Sequence, residues 1–108
     1  WQVQFLLNLL VFGMTIPEAM EAPKLSSEHF PGFFAPHDRF PNRVRIEPRV
    51  GAATLADLAA RGHDVEVAAD WSEGYLLAAA REPSGLLEAG ADPRGARGDV
   101  FAACALAW

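Results

Sequence analysis

Histidines at 29, 37 and 63 and one cysteine, Cys104, are the side chains best suited here to ligate a metal or attack a carbonyl. Tight metal sites draw on ligands brought close together, and no two of these four stand at helical or hairpin spacing. No metal is therefore expected. Cys104 lies in an apolar stretch with no base beside it, which marks a small core residue rather than a nucleophile. Ser26-Ser27-Glu28-His29 gathers hydroxyls, a carboxylate and an imidazole, but adjacency along the chain is not triad geometry. In Asp92-Pro93-Arg94 the arginine offers an anion site. The preferred reading is a turn, in which Asp92 accepts a backbone N–H two residues on and Pro93 fixes φ. Thr15 and Thr54 are the only threonines, and both fall at helix starts. There is no glycine-rich phosphate loop, paired-cysteine zinc spacing, His-Glu-x-x-His or Gly-x-Ser-x-Gly. No catalytic, cofactor-binding or metal-binding residue is expected in this stretch, and no cofactor.

The elements that would carry any chemistry follow from periodicity. From Val3 to Phe12 a helix is expected, with Phe5, Leu9 and Phe12 on one face and Leu6 and Leu10 beside them. Leu7, Val11 and Met14 form a third face, leaving Gln4 and Asn8 as a narrow polar stripe. A short helix apolar nearly all round belongs inside a larger body, so more protein is expected to pack against it. Gly13 stops this helix. Thr15-Ile-Pro-Glu18 restarts one through a capping box, and Pro23 ends it near Ala22.

Six of the eight prolines lie from Pro17 to Pro48, and Phe30, Phe33, Phe34 and Phe40 stud the middle of that region. Disordered linkers are poor in aromatics, so this segment reads as an ordered extended loop held against some surface. Val44 and Ile46 alternate with charged residues in a short strand closed by Pro48. A helix follows over 52–61, with Leu55, Leu58 and Ala59 inward and Asp57 paired to Arg61. Gly62 caps it, and His63 suits the negative end of its dipole. Val65 and Val67 mark a strand. Gly74 to Arg81 and Leu86 to Ala91 read as a hairpin around Glu82-Pro-Ser-Gly85. A turn-rich loop over 92–98 and an apolar strand over 100–107 complete an α+β chain with a mainly antiparallel sheet.

The 108 residues allow at most one ordinary domain with a modest core. Hydrophobic residues make up 51% and charged residues 21%, with mean hydropathy +0.08, which excludes a disordered chain. No apolar run approaches the roughly 20 residues of a spanning helix. A net charge of −5 without a basic cluster argues against nucleic acid as a partner. The chain opens at Trp1 directly into helical pattern, with no targeting signal, so a piece of something longer is expected.

The order of these segments resembles the C-terminal part of the γ-glutamyltransferase small subunit. The stretch from Gln4-Phe-Leu-Leu-Asn to Phe12-Gly-Met14, then Pro17-Glu-Ala-Met-Glu-Ala-Pro23, is similar to a segment that follows that family's active-site glycines. Arg45-Ile-Glu47, the stretch from Leu55 to His63 and the stretch from Gly85 to Arg94 continue the likeness in order and spacing. It covers about Gln2 to Gly98. The resemblance implies part of an N-terminal-nucleophile hydrolase αββα sandwich, formed by a precursor that cuts itself to expose a threonine. That threonine would attack a γ-glutamyl amide such as glutathione, its own α-amine acting as base, while a Gly-Gly pair holds the oxyanion. Residues 1–108 would form one partial domain without the nucleophile or the glycine pair, and its partner would be the remainder of the polypeptide. Such enzymes are often periplasmic or extracellular; no signal lies in this segment. Lys24-Leu-Ser-Ser-Glu-His29 departs from the family's usual residues, as does the apolar tail from Asp99 to Trp108. Both suggest a divergent branch whose substrate differs from glutathione. The competing reading is a truncated, non-catalytic interaction module.

Overall fold

The computed structural model of the chain describes residues 1–94. The expected strand over 100–107, Cys104 and the end of the 92–98 loop lie outside the described residues. Two compact units are present, one made of Trp1–Ala22 with Gly74–Arg94, the other of Pro23–Glu73.

In the first unit, helix α1 covers Gln2–Leu10 and helix α2 covers Ile16–Glu21. The expected capping box is formed. Thr15 Oγ1 accepts the Glu18 N–H at 3.4 Å, and the Glu18 carboxylate accepts the Thr15 N–H at 2.8 Å. Ile16, Met20 and Leu76 make the core, with Phe5, Leu9 and Ala78 packed against it. The face of α1 bearing Leu6 and Leu10 stays open, with Leu10 80% exposed.

Strands β4 (Leu77–Arg81) and β5 (Leu87–Ala91) form the expected antiparallel hairpin, with Leu77 opposite Ala91 and Arg81 opposite Leu87. The Glu82 carbonyl accepts the Gly85 N–H at 2.9 Å, and Gly85 takes φ +93° to close the turn. Gly90 lies under α2. A Cβ there would stand 2.6 Å from Ile16 Cγ2 and 3.1 Å from Met20 Sδ, so the helix rests on the strand only because no side chain intervenes.

In the second unit, β1 (Leu25–Ser27), β2 (Arg43–Ile46) and β3 (Asp64–Val67) form one sheet in the order β1-β2-β3. β1 runs antiparallel to β2, whereas β2 and β3 are parallel. The parallel pair follows from what joins it: a 3-10 turn at Pro48–Val50 and helix α3 (Ala52–Ala60) return the chain to the same sheet end. Helix α3 ends as a Schellman motif, with Gly62 N–H bonded to the Ala59 carbonyl and His63 N–H to that of Leu58. His63 thus caps through its backbone. The Asp57–Arg61 pair forms at 2.8 Å.

The phenylalanine loop finds no covering surface within its own unit. Phe30, Phe33 and Phe34 are 75, 88 and 81% exposed, so this unit supplies no surface for them. Phe40 lies with its ring 4.2 Å beneath the Arg43 guanidinium, while Phe30 meets the His29 ring and Phe33 meets Phe34, each edge-on.

Candidate functional site

Three groupings of polar side chains merit attention, each contained in one unit. The first lies at the end of the three-stranded sheet. Ser27 opposes Val44, and the Glu28 N–H bonds the Arg43 carbonyl, so the antiparallel register carries on to set His29 beside Asn42. On the other side Arg43 opposes Asp64, and the Asp64 N–H bonds the Asn42 carbonyl, which places His63 beside Asn42 as well. His29, Asn42 and His63 thus meet just beyond the ends of the three strands. Next to them, Glu28, Arg43 and Asp64 form an ion cluster with Arg43 at 2.8 Å from Asp64 and 3.9 Å from Glu28. The Asp64 hydrogen bond, helped by the charges of Asp64, Glu66 and Glu28, raises the Arg43 pKa and keeps it charged.

Ser27, His29, Asn42, Arg43 and His63 line a cleft of about 270 Å³ with Phe30 and Val44. The Ser26–His29 run shows no triad. His29 Nδ1 accepts the Asn42 N–H at 3.1 Å, and Ser27 Oγ accepts the His29 N–H at 3.4 Å. The third histidine, His37, is tied elsewhere, its Nδ1 lying 2.9 Å from the Gly32 carbonyl oxygen. Among the described residues no group of three or more His, Cys, Asp or Glu side chains is placed to hold a metal.

The second grouping was not foreseen. Alternation puts Glu47 on the wet side of β2, yet it is fully buried and Lys24 is 2% exposed. Glu47 Oε2 accepts the Lys24 N–H at 3.2 Å and an Arg49 Nη2 bond at 2.9 Å, while Oε1 accepts the Glu73 N–H at 3.2 Å. Glu73, also buried, receives Ser26 Oγ at 2.7 Å and pairs with Arg45 at 3.0 Å. Arg49 in turn stacks 3.7 Å from the Trp71 ring. One carboxylate thus ties the entry of this unit, Lys24, to its exit, Glu73. The only sequence signal was Arg45 and Arg49 two positions either side of Glu47, just before Pro48.

The third grouping is the Asp92-Pro93-Arg94 turn. Asp92 Oδ1 accepts the Arg94 N–H at 3.0 Å, as the turn reading requires. Arg94 Nη1 donates to the Met20 carbonyl and Nη2 to that of Ala22, each at 2.9 Å. These are carbonyls at the C-terminal end of α2, where a cation complements the helix dipole. Buried on all sides, the arginine is a clamp between hairpin and helix.

None of the three groupings pairs a nucleophile with a base. The decisive observation is therefore of the whole pattern. A sequence profile of the γ-glutamyltranspeptidase family matches residues 1–102. The chain belongs to the γ-glutamyltranspeptidase family. Members of this family are N-terminal-nucleophile hydrolases, and the mixture of helices with mainly antiparallel strands agrees with that fold. The chain is similar to LmbA2991, seen in two solved structures at 38% identity and TM-score 0.83, covering 87% of this chain and 17% of that one. It is 49% identical over 53 residues to the oxamate amidohydrolase proenzyme of Klebsiella pneumoniae, covering 47% of this chain and 10% of that protein. A cephalosporin acylase from Bacillus halodurans is 25% identical with TM-score 0.69, covering 86% of this chain and 16% of that one. The chain therefore spans a small fraction of the length of these relatives.

Proposed function

We propose that this chain is the C-terminal part of the small subunit of a γ-glutamyltranspeptidase-family amide hydrolase or transferase whose threonine nucleophile precedes it. The observation that carries this reading is a family match over nearly all the chain in which neither threonine is free to act. Thr15 Oγ1 is engaged with the Glu18 backbone and carboxylate, and Thr54 lies in the first turn of α3. In the whole enzyme the threonine's α-amine would take the proton of its hydroxyl as that oxygen attacks the amide carbon. The proton then passes to the leaving amine, and water or an amine releases the acyl group. The open apolar face of α1 supports a covering partner, the remainder of the same polypeptide.

The substrate class is a γ-glutamyl amide or a related small amide. Similarity to an oxamate amidohydrolase proenzyme, with the departures at Lys24–His29, favours a small amide other than glutathione.

The test is expression of the full polypeptide that carries this segment. It should split into two chains, the second beginning at threonine, and hydrolyse a γ-glutamyl anilide or oxamate. Alanine in place of that threonine should abolish both splitting and turnover. A polypeptide that stays whole and inactive would instead support a non-catalytic interaction module.

A further inference from the structure

We infer that the cleft at the open end of the three-stranded sheet, walled by His29, Asn42 and His63, binds the carboxylate of a small apolar acid. The His29 ring is held in one tautomer. Its Nδ1 accepts the Asn42 N–H, so the neutral ring carries its proton on Nε2. A metal at Nε2 would require moving that proton to Nδ1, against a backbone donor. The ring is thus held as a hydrogen-bond donor rather than a ligand.

Among the described residues, His29 Nε2, the Asn42 side-chain amide and the His63 ring have no protein partner. The strand register brings the three residues together along the same cleft. Asn42 takes φ +64°, a left-handed conformation that asparagine tolerates better than most residues.

Charge and shape point the same way. The acidic side chains nearest in sequence, Glu28, Asp64 and Glu66, are drawn to Arg43, at 3.9, 2.8 and 3.6 Å. Arg43 itself lines the cleft, so these carboxylates are held to its guanidinium at the cleft's edge rather than left free. Beside the donors lie Val44 and Phe30, whose ring meets the His29 ring edge-on at 5.4 Å. A space of about 270 Å³ suits a molecule of about one ring. A planar carboxylate accepts two or more N–H donors, and an apolar body covers the valine and phenyl walls.

Benzoate is the probe. The whole protein, labelled with ¹⁵N at histidine, is titrated with benzoate at constant ionic strength while the imidazole nitrogens are followed by NMR. The free protein should show His29 protonated at Nε2, and benzoate should shift the His29 and His63 rings saturably. His29→Phe should weaken binding about tenfold, the loss expected for one charge-assisted hydrogen bond. Asn42→Asp keeps the left-handed backbone and the side-chain size but adds a negative charge, and should weaken binding at least as much. Benzyl alcohol, the neutral analogue, should not compete. The inference is overturned if no shift saturates, if benzyl alcohol binds equally well, or if folded Asn42→Asp binds benzoate like the parent.

Discussion

Arg94 Nη1 donates to the Met20 carbonyl at 2.9 Å across 74 residues of sequence, and the same nitrogen lies 3.1 Å from Asp92 Oδ1. The carboxylate therefore does two things: it closes the turn at Arg94 N–H and holds the guanidinium that locks the hairpin to α2. Asp92→Ala removes both and leaves a buried cation without its carboxylate. A loss of roughly 3 kcal/mol is expected. Calorimetry should show a melting temperature lower by several degrees, and Arg94→Lys should not match the parent, since one ammonium cannot reproduce the planar fork. In the full polypeptide, Asp92→Ala should also slow self-cleavage. Normal melting with altered substrate affinity alone would reassign this turn to a binding site.

Glu47 invites a more local measurement. Glu47→Gln keeps the shape but turns one acceptor oxygen into a donor, which must face a backbone N–H or Arg49. A cost of about 1–3 kcal/mol follows from the mismatched buried group. Hydrogen exchange should locate it, with protection lost at the Lys24 and Glu73 amides and retained in the β4–β5 hairpin.

The capping box of α2 predicts a pH dependence with a definite sign. The Thr15 backbone N–H bond, followed by the Thr15 hydroxyl bond, lowers the Glu18 pKa below its ordinary 4.5. A lowered carboxylate pKa contributes stability that is fully present above 4.5 and is lost as pH falls through the folded value. An NMR titration of the Glu18 carboxyl should find a midpoint below 4.5 that moves upward in Thr15→Ala. An unchanged midpoint in that variant would show that the hydroxyl contributes nothing.

Gly90→Ala tests how closely strand and helix approach. The new methyl would meet Ile16 Cγ2 at 2.6 Å, well inside van der Waals contact, so α2 must shift. A destabilisation of about 1–3 kcal/mol is expected from overpacking. Pairing it with Ile16→Val should recover part of that loss in denaturant titrations, because the two changes share one space.

The 108-residue chain alone should not turn over a γ-glutamyl anilide, since Thr15 and Thr54 serve helix starts. Turnover surviving in the Thr15→Ala, Thr54→Ala double variant would place the chemistry on other residues of this segment.

Local signals carried much of the architecture. Thr15, Pro17 and Glu18 announce α2 because a capping box is satisfied within four residues. Glu82-Pro-Ser-Gly85 announces the hairpin because its turn needs a left-handed glycine beside a proline. Asp92-Pro93-Arg94 was legible as a turn for the same reason, its first hydrogen bond spanning only two residues. Family membership was legible too, since it rests on ordered residue types rather than on contacts.

What remained hidden depended on contacts distant in sequence. Period-two alternation assigns Glu47 to solvent, and nothing local reveals that Lys24 and Glu73, 23 and 26 residues away, bring their N–H groups to it. His29 and His63 looked scattered because strand register, not chain spacing, makes them neighbours of Asn42. Hydrophobic pattern, caps and turns are decided by residues a few positions apart, so the sequence alone determined the family and most of the elements, but not strand β1 at Leu25–Ser27, which only its pairing with β2 reveals. Which polar groups lose water and which partners they meet is decided by chain closure over tens of residues. Only the tertiary structure settled the buried Glu47 clamp, the reach of Arg94 to α2 and the donor-lined cleft.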